Sequence, residues 1–222
     1  MIQLLITQAA SDESMHEMLK TKFIEGNPLF MSMVAIVLII GLTFCIERII
    51  YLALSNINTK VFIRQLEATY NEKGRDASID LCRNTKGPVA SICMQGLLHD
   101  EEQAEEVERV MAAYADIEIA KLEKGCSWIT LFIAIAPSLG FLGTVIGMVM
   151  SFDNIEISND ISPAIVAGGM KVALITTIFG IIVAVILQIF YNYILSRIEH
   201  LTSQMEQSAI DLIEIVKANK GN

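Results

Sequence analysis

Three long apolar runs without a charged residue constrain this chain more than any other feature. They cover residues 29–46, 125–152 and 172–196 and contain 18, 28 and 25 residues. A helix needs about 20 residues to cross a hydrocarbon core of about 30 Å, so each run predicts a membrane-spanning helix. Hydrophobic residues make up 53% of the 222 residues and charged residues 18%, which is too apolar for an ordinary soluble domain.

The distribution of basic residues predicts the orientation of these spans. Of 16 Lys and Arg residues, 13 follow the first or the third run, and the segment 153–162 has none. Under the positive-inside rule the N-terminus and this loop lie outside, while the segment 55–125 and the C-terminal tail are cytoplasmic. The acids of the loop either attract protons or cations to an outer mouth or simply keep the loop soluble.

The first residues favour a retained first span. Residues 1–10 lack the basic region and the long apolar stretch of a signal peptide. Ser14 and Glu17 have the spacing of a capping box and predict a short amphipathic helix ahead of the span. The apolar face of that helix either lies on the outer membrane surface or, in a frayed terminus, rests on a neighbour.

The segment between the first two spans is predicted to be helical throughout. Gly74 and the Gly87–Pro88 pair are its clearest breaks, so three short helices precede a longer one that begins near Asp100. Only Gly125 separates the longer helix from the second span, and we expect one continuous helix there. No breaker separates the third span from the tail, which predicts a second continuous helix.

The tail carries apolar residues in alternating steps of four and three. Such a heptad seam needs a partner helix, which is the helix near Asp100 of the same chain, a helix of a neighbouring subunit, or both. The members of the seam are Ile194, Ile198, Leu201, Met205, Ser208, Leu212 and Ile215.

The predicted fold class is therefore an all-α polytopic membrane protein with three transmembrane helices, two of them extended into the cytoplasm. The predicted segments are the periplasmic N-terminal segment 1–27, transmembrane helix 28–54, the cytoplasmic helical domain 55–125, transmembrane helix 126–152, the periplasmic loop 153–162, transmembrane helix 163–196 and the cytoplasmic helix 197–222.

Several classes of function are disfavoured. The net charge of −9 and the absence of a Lys/Arg cluster in the sequence argue against a nucleic-acid partner. The four cysteines form no CxxC pair and the three histidines are far apart in sequence, so no metal site, redox motif or cofactor is predicted. The spans contain no Ser with a Lys or His base and no acid pair, so we do not expect an enzyme.

Small residues recur on one face of the second and of the third predicted span. Such faces let helices approach closely, and they serve either helix packing, with threonine hydroxyls bonded back to their own helix, or a weakly polar pore wall. The residues are Gly140, Thr144, Gly147 and Ser151 in the second span and Ala173, Thr177, Gly180, Ala184 and Gln188 in the third.

Charges are absent from the apolar runs of these two spans. The runs 125–152 and 172–196 contain no Asp, Glu, His, Lys or Arg. If protons cross the membrane here, another polypeptide must supply the carboxylate that carries them. Glu47 and Arg48 end the first span together, either as an interfacial pair that anchors the helix or as a gating or assembly pair.

The same spans carry a family resemblance. The residues concerned are Leu122, Glu123, Lys124, Ala136, Pro137, Gly140, Gly143, Thr144, Val145 and Gly147 around the second span, Ala167, Gly168, Ala173, Leu174, Thr177, Gly180, Ala184, Tyr191 and Asn192 around the third, and Pro88, Val89, Ala90, Gly96 and Leu97 between the first two. In this combination the chain resembles the ExbB/TolQ family, which is related more distantly to flagellar MotA, and it is most similar to ExbB.

The resemblance implies a proton-channel stator subunit of an energy-transducing motor in the bacterial inner membrane. It implies a homopentameric ring around single-span helices of an ExbD- or TolR-like partner, whose membrane Asp titrates, and a TonB- or TolA-like protein that performs outer-membrane work such as nutrient import. The resemblance implies that protons are the transported ion. Thr144 and Thr177 match the family's pore threonines, and Gly140, Gly147 and Gly180 are expected to line the pore with them. The alternatives are a TolQ-type subunit of the Tol-Pal system and a non-conducting membrane scaffold.

Two positions depart from the family pattern. Val172 stands where family members often have a Glu, and Lys171 precedes it, either extending outward to the interface or meeting an acid of the partner. Lys171 is thus a candidate for the outer mouth or for partner contact. Ile186 replaces a frequent proline, which predicts a straighter third span and a polar role for Gln188.

Overall fold

The computed structural model describes residues 17, 20–23, 26–158 and 163–220. Within this range the chain is helical and has no strand, which confirms the all-α class. The helices from residue 26 onward are α1 (Pro28–Ser55), α2 (Thr59–Lys73), α3 (Arg75–Asn84), α4 (Pro88–Leu98), α5 (Ala104–Glu123), α6 (Cys126–Ser158) and α7 (Pro163–Lys220). Three of them, α1, α6 and α7, contain the apolar stretches that are long enough to cross a membrane.

The predicted N-terminal helix falls mostly outside the described residues. Glu17 and residues 20–23 are helical. Ser14, the first residue of the proposed capping box, lies outside the described range, so the capping box and the amphipathic face stay predictions.

Glycines with positive φ separate the short helices, as the sequence predicts. Gly74 lies between α2 and α3 with φ +81°, and Gly87 precedes α4 with φ +121°. This conformation strains residues that carry a Cβ. At Gly87 a Cβ would also stand 2.8 Å from the carbonyl oxygen of Ser55, so both the backbone conformation and the available space require glycine there.

The prediction of one continuous helix into the second span is wrong. The longer helix α5 begins at Ala104 rather than near Asp100 and ends at Glu123, and α6 starts afresh at Cys126. The break is at Gly125, whose φ of +88° is incompatible with an α-helix. By contrast, α7 runs without interruption through the third span and the tail, as expected.

The chain divides into two compact units. Among the described residues, the membrane unit comprises those from 17 to 43 and from 128 to 189, and the extramembrane unit comprises those from 44 to 127 and from 190 to 220. In the membrane unit, α1 packs on α7 where a Cβ on Gly41 would lie 2.7 Å from the Leu187 side chain. Much of the remaining surface of this unit consists of large exposed apolar side chains, which are suited to contact with lipid or with other membrane helices.

The heptad seam of α7 packs within the chain. All seven predicted members are buried, and a Cβ on Gly96 of α4 would meet Met111 of α5 at 2.6 Å and Leu212 of α7 at 2.7 Å. The tail therefore packs on α4 and α5 of the same chain. Of the two partners left open by the sequence, the one within the chain is confirmed.

An ion pair fixes the end of α4 in the extramembrane unit. Arg75 donates to the carbonyl oxygens of Leu97 and Leu98 at 2.9 and 2.8 Å and pairs with the buried Asp100 at 2.9 Å. The hydroxyl of Tyr70 donates to the same carboxylate at 3.0 Å. Burial, and then the hydrogen bond to Asp100, raise the pKa of Tyr70 above its ordinary value.

Candidate functional site

Glycines bring the backbones of α6 and α7 into contact in the membrane unit. A Cβ on Gly180 would stand 2.6 Å from the carbonyl oxygen of Ala136 and 3.2 Å from the Cα of Gly140. A Cβ on Gly140 would stand 2.9 Å from the carbonyl oxygen of Thr176. The obstacles are backbone atoms, which cannot rotate away, so neither position has room for a side chain.

The contact continues along the predicted small-residue faces. A Cβ on Gly147 would lie 3.2 Å from the Cβ of Ala173. One turn further, Gly169 approaches Ser151 so closely that an added Cβ would overlap the serine hydroxyl. The two faces predicted from the sequence therefore meet each other, and their helix-packing function is established for this chain.

Thr144 of α6 and Thr177 of α7 face each other across this contact. Their hydroxyl groups are hydrogen-bonded to each other. The carbonyl oxygen of Gly140 lies 3.2 Å from both hydroxyl oxygens, and that of Ala173 lies 3.1 Å from the Thr144 hydroxyl. Because each hydroxyl carries one proton, the two protons have alternative acceptors and can change partners by rotation. The site is a small, adjustable hydrogen-bond network.

A third threonine completes the network and was missed in the sequence. Thr176 is fully buried, and its hydroxyl lies 2.8 Å from the carbonyl oxygen of Ala173 and 3.3 Å from that of Gly140. In the sequence, only its position next to Thr177 pointed to Thr176. A step of four residues from Ala173 reaches Thr177, so the helical periodicity selects Thr177 and passes over Thr176.

Exposure separates the predicted site residues into two groups. Gly140, Gly147 and Gly180 are buried between α6 and α7, whereas Thr144 and Thr177 are partly exposed. The glycines position the helices, and the threonines have surface left for another molecule. Pore lining by any of the five stays a prediction.

The outer-mouth candidate lies apart from the threonines. Lys171 is exposed on α7, and the neighbouring Val172 lines a groove of about 360 Å³ together with Asn27 and Asn154. In the described part of the chain, His, Cys, Asp and Glu form no group of three or more that could hold a metal ion.

The predicted pair of Glu47 and Arg48 forms within α1, directly after the uncharged run 29–46. Two guanidinium nitrogens of Arg48, Nε and Nη2, each donate a hydrogen bond of 2.6 Å to the carboxylate of Glu47. Arg48 is buried and its guanidinium also lies 5.0 Å from the ring centre of Tyr51. This geometry fits an anchoring pair, and a gating role stays untested.

Comparison with known proteins identifies the class. Residues 84–207 match the family described as the MotA/TolQ/ExbB proton channel family. A biopolymer transport protein ExbB homolog of Methanothermobacter thermautotrophicus is 32% identical over 186 residues, which are 83% of this chain and 63% of that protein. An ExbB-like protein of Synechocystis is 38% identical over 89 residues, 39% of this chain and 35% of that protein. Biopolymer transport protein ExbB of Neisseria gonorrhoeae is 28% identical over 150 residues, 68% of this chain and 66% of that protein. The chain thus spans less than two thirds of the first two relatives.

Proposed function

Because this chain belongs to the MotA/TolQ/ExbB proton channel family, whose members are channel or stator proteins rather than enzymes, we propose that it is the proton-channel stator subunit of an ExbB-type motor in the inner membrane. In this proposal protons cross the membrane beside the spans α6 and α7. The proton motive force then drives work at the outer membrane, such as nutrient import, through a TonB-like protein.

The proposal requires a second chain. The runs 125–152 and 172–196 contain no titratable carboxylate, so in this proposal an ExbD- or TolR-like single-span protein supplies the Asp that is protonated and deprotonated. Several copies of this chain, five by the family resemblance, surround that helix and contact lipid on the outside. The N-terminus is then periplasmic and the extramembrane unit cytoplasmic, as the distribution of Lys and Arg predicts. Lys171 would lie near the outer mouth, within reach of the partner.

The observation that carries the proposal is the hydroxyl pair of Thr144 and Thr177. The two hydroxyls lie between mainly apolar helices of the membrane unit, they are partly exposed, and their protons can change acceptors. A protonated carboxyl needs an acceptor and a carboxylate needs a donor, and a hydroxyl can be either. The pair can therefore stabilise a partner carboxyl in both protonation states without the trapping effect of a fixed charge.

The backbone contact of α6 and α7 suits a wall along which another helix moves. A membrane potential supplies about 2.3 kcal/mol per charge per 100 mV, so one proton drives only a small step. If the wall deformed at a cost comparable to the free energy of one proton, that free energy would deform the wall instead of moving the helix. The close contact at Gly140 and Gly180 resists such deformation because backbone meets backbone there.

One observation favours the scaffold alternative. The hydroxyls of Thr144 and Thr177 are satisfied within the chain, so their presence has a sufficient structural reason without transport. The scaffold would hold a partner complex in the membrane without conducting protons. A TolQ-type subunit uses the same wall and differs only in the protein that it drives.

Proton flux into liposomes separates conduction from scaffolding. The chain is reconstituted with its single-span partner, and flux is compared for wild type, Thr144→Val, Thr177→Val and Thr144→Ser. We expect both valine variants to lose most of the flux, and the serine variant to keep it because the hydroxyl remains.

Thr43→Val is the matched control, since the Thr43 hydroxyl donates only to Ile39 of its own helix. Native mass spectrometry of each variant shows whether the complex still assembles, with five copies alone and five plus two with the partner expected. Valine variants that assemble normally and conduct like wild type would refute the proposal in favour of the scaffold.

A further inference from the structure

Two neighbouring cavities form an apolar groove on the extramembrane unit. The first measures about 340 Å³ and lies between α5 and the tail of α7, and the second measures about 310 Å³ and lies beside the start of α5. Ile213 lines both cavities, so the two parts of the groove adjoin each other at this residue. We call it the tail groove.

Three alanines widen the first cavity, beside larger apolar residues such as Met205 and Ile210. Ala112 and Ala115 of α5 and Ala209 of α7 line the first cavity, while Ile92 and Met111 are buried at its base. Alanines on facing helices leave space that larger side chains would fill. Met111 adds a flexible, polarizable surface that adapts to an apolar guest.

The rim of the groove is acidic. Glu108 of α5 and Glu206 of α7 line the first cavity from opposite helices, and both are exposed. Among the ion pairs of the described residues, neither carboxylate is joined to a basic side chain. Glu102 lines the second cavity, where Lys217 is the basic residue of the lining.

From this combination we propose that the tail groove binds an amphipathic helix of another protein, with an apolar face flanked by Lys or Arg. An apolar groove between two helices can bind the apolar face of such a helix. The acidic rim selects a basic flank and opposes an anionic lipid surface. A second copy of this chain is the alternative occupant, and the copy number of the groove-filling variant tests it.

The inference uses the extramembrane unit alone and does not depend on proton conduction. The probe is a fluorescent 18-residue peptide with leucines at every third or fourth position and lysines on the flanks. Binding to the complete chain in detergent is measured by fluorescence anisotropy. A peptide of the same composition, shuffled so that the leucines share no face, and a peptide with glutamates in place of the lysines are measured alongside.

Charge reversal and groove filling test the two features separately. We expect Glu108→Lys with Glu206→Lys to weaken binding by about tenfold or more, because attraction becomes repulsion at both rims. The matched control is Glu67→Lys with Glu72→Lys, which changes two exposed acids of α2 by the same charge. Ala209→Leu should also abolish binding by filling the groove, whereas Ala120→Leu at an exposed position of α5 should not.

Three results would overturn the proposal. The first is no binding of the lysine peptide to the wild-type chain. The second is equal binding of the shuffled or the glutamate peptide, which would show that neither a helical face nor the charge is recognised. The third is a lower copy number in native mass spectra of Ala209→Leu but not of Ala120→Leu, which would assign the groove to a second copy of the chain.

Discussion

Replacing Gly180 by alanine tests whether the backbone contact of α6 and α7 holds the membrane unit together. The added Cβ would stand 2.6 Å from the carbonyl oxygen of Ala136 and 3.3 Å from the backbone nitrogen of Gly140. Ordinary contacts between carbon and carbonyl oxygen begin at about 3.3 Å, so the helices must separate by about 0.7 Å. Both obstacles belong to backbone, and no side-chain rotation can absorb the displacement.

The cost of this separation has two parts. Overpacking of a well-packed contact costs about 1–3 kcal/mol. Moving the helices apart by 0.5–1 Å also removes about a quarter to a half of each dispersion contact along the interface. The hydrogen bond from Thr177 to Gly140, which is 3.2 Å long, would stretch beyond hydrogen-bond range. We expect Gly180→Ala to destabilise the chain by about 2–4 kcal/mol in total.

Gly168 provides the matched control on the same helix. A Cβ at this position meets no heavy atom within 4 Å. Because alanine has a higher helix propensity than glycine, Gly168→Ala should be neutral or stabilising by up to about 1 kcal/mol.

The assay is unfolding in mixed micelles with increasing fractions of SDS, followed by circular dichroism and by the fluorescence of Trp128. Gly180→Ala should unfold at a clearly lower SDS fraction than wild type, and Gly168→Ala should not. Equal midpoints for the two variants would show that the contact at Gly180 contributes no stability, and the reasoning on the rigid wall would fail with it.

Two further predictions concern the extramembrane unit. Burial raises the pKa of Cys82 from 9.0 to about 12, so its thiol should react with maleimide at pH 8 far more slowly than in the SDS-unfolded chain. Because the folded state keeps this proton where the unfolded chain loses it, the resulting stabilisation is complete below pH 9 and is lost as the pH rises through about 12. Removing Arg75 leaves the buried Asp100 without its ion pair, and Arg75→Ala should cost about 3 kcal/mol in the same unfolding assay. Arg83→Ala, which breaks an exposed pair with Asp80, should cost less than about 1 kcal/mol, and equal costs would contradict the argument.

The fold was predictable wherever a single local requirement decides the structure. A single apolar run that crosses a hydrocarbon core satisfies its backbone hydrogen bonds as a helix, so three uncharged runs suffice to predict three spans. Positive φ favours glycine, so Gly74 and Gly87 mark real breaks. The helix break at Gly125 could not be predicted from the sequence, because a lone glycine inside a helical pattern is often tolerated. In the structure, the Nε of Arg48 lies 3.6 Å from the position that a Cβ on Gly125 would occupy. A contact between residues so far apart in the chain cannot be read from the local sequence around Gly125.

The candidate site was predictable in its members but not in its arrangement. Helical periodicity selects Thr144 and Thr177 because each shares a face with small residues. Periodicity cannot show that these two faces meet each other, nor that Thr176 turns into the same contact, since both depend on how α6 and α7 cross. The heptad seam has the same limit, because a seam specifies an apolar stripe but not the helix that covers it.

The carbonyl oxygen of Gly140 links helix spacing to the chemistry of the site. It lies within 3.2–3.3 Å of the hydroxyl oxygens of Thr144, Thr176 and Thr177, and the same residue forms the glycine contact with α7. Any change in the spacing of α6 and α7 must therefore move the hydroxyl protons as well. Gly180→Ala should then lower proton flux even in molecules that remain folded, and Thr144→Val should lower flux while the helix spacing is kept. Gly180→Ala could instead lose stability while its folded fraction conducts like wild type. The contact of Gly140 with α7 would then be independent of the hydrogen bonds that its carbonyl oxygen accepts from the threonines.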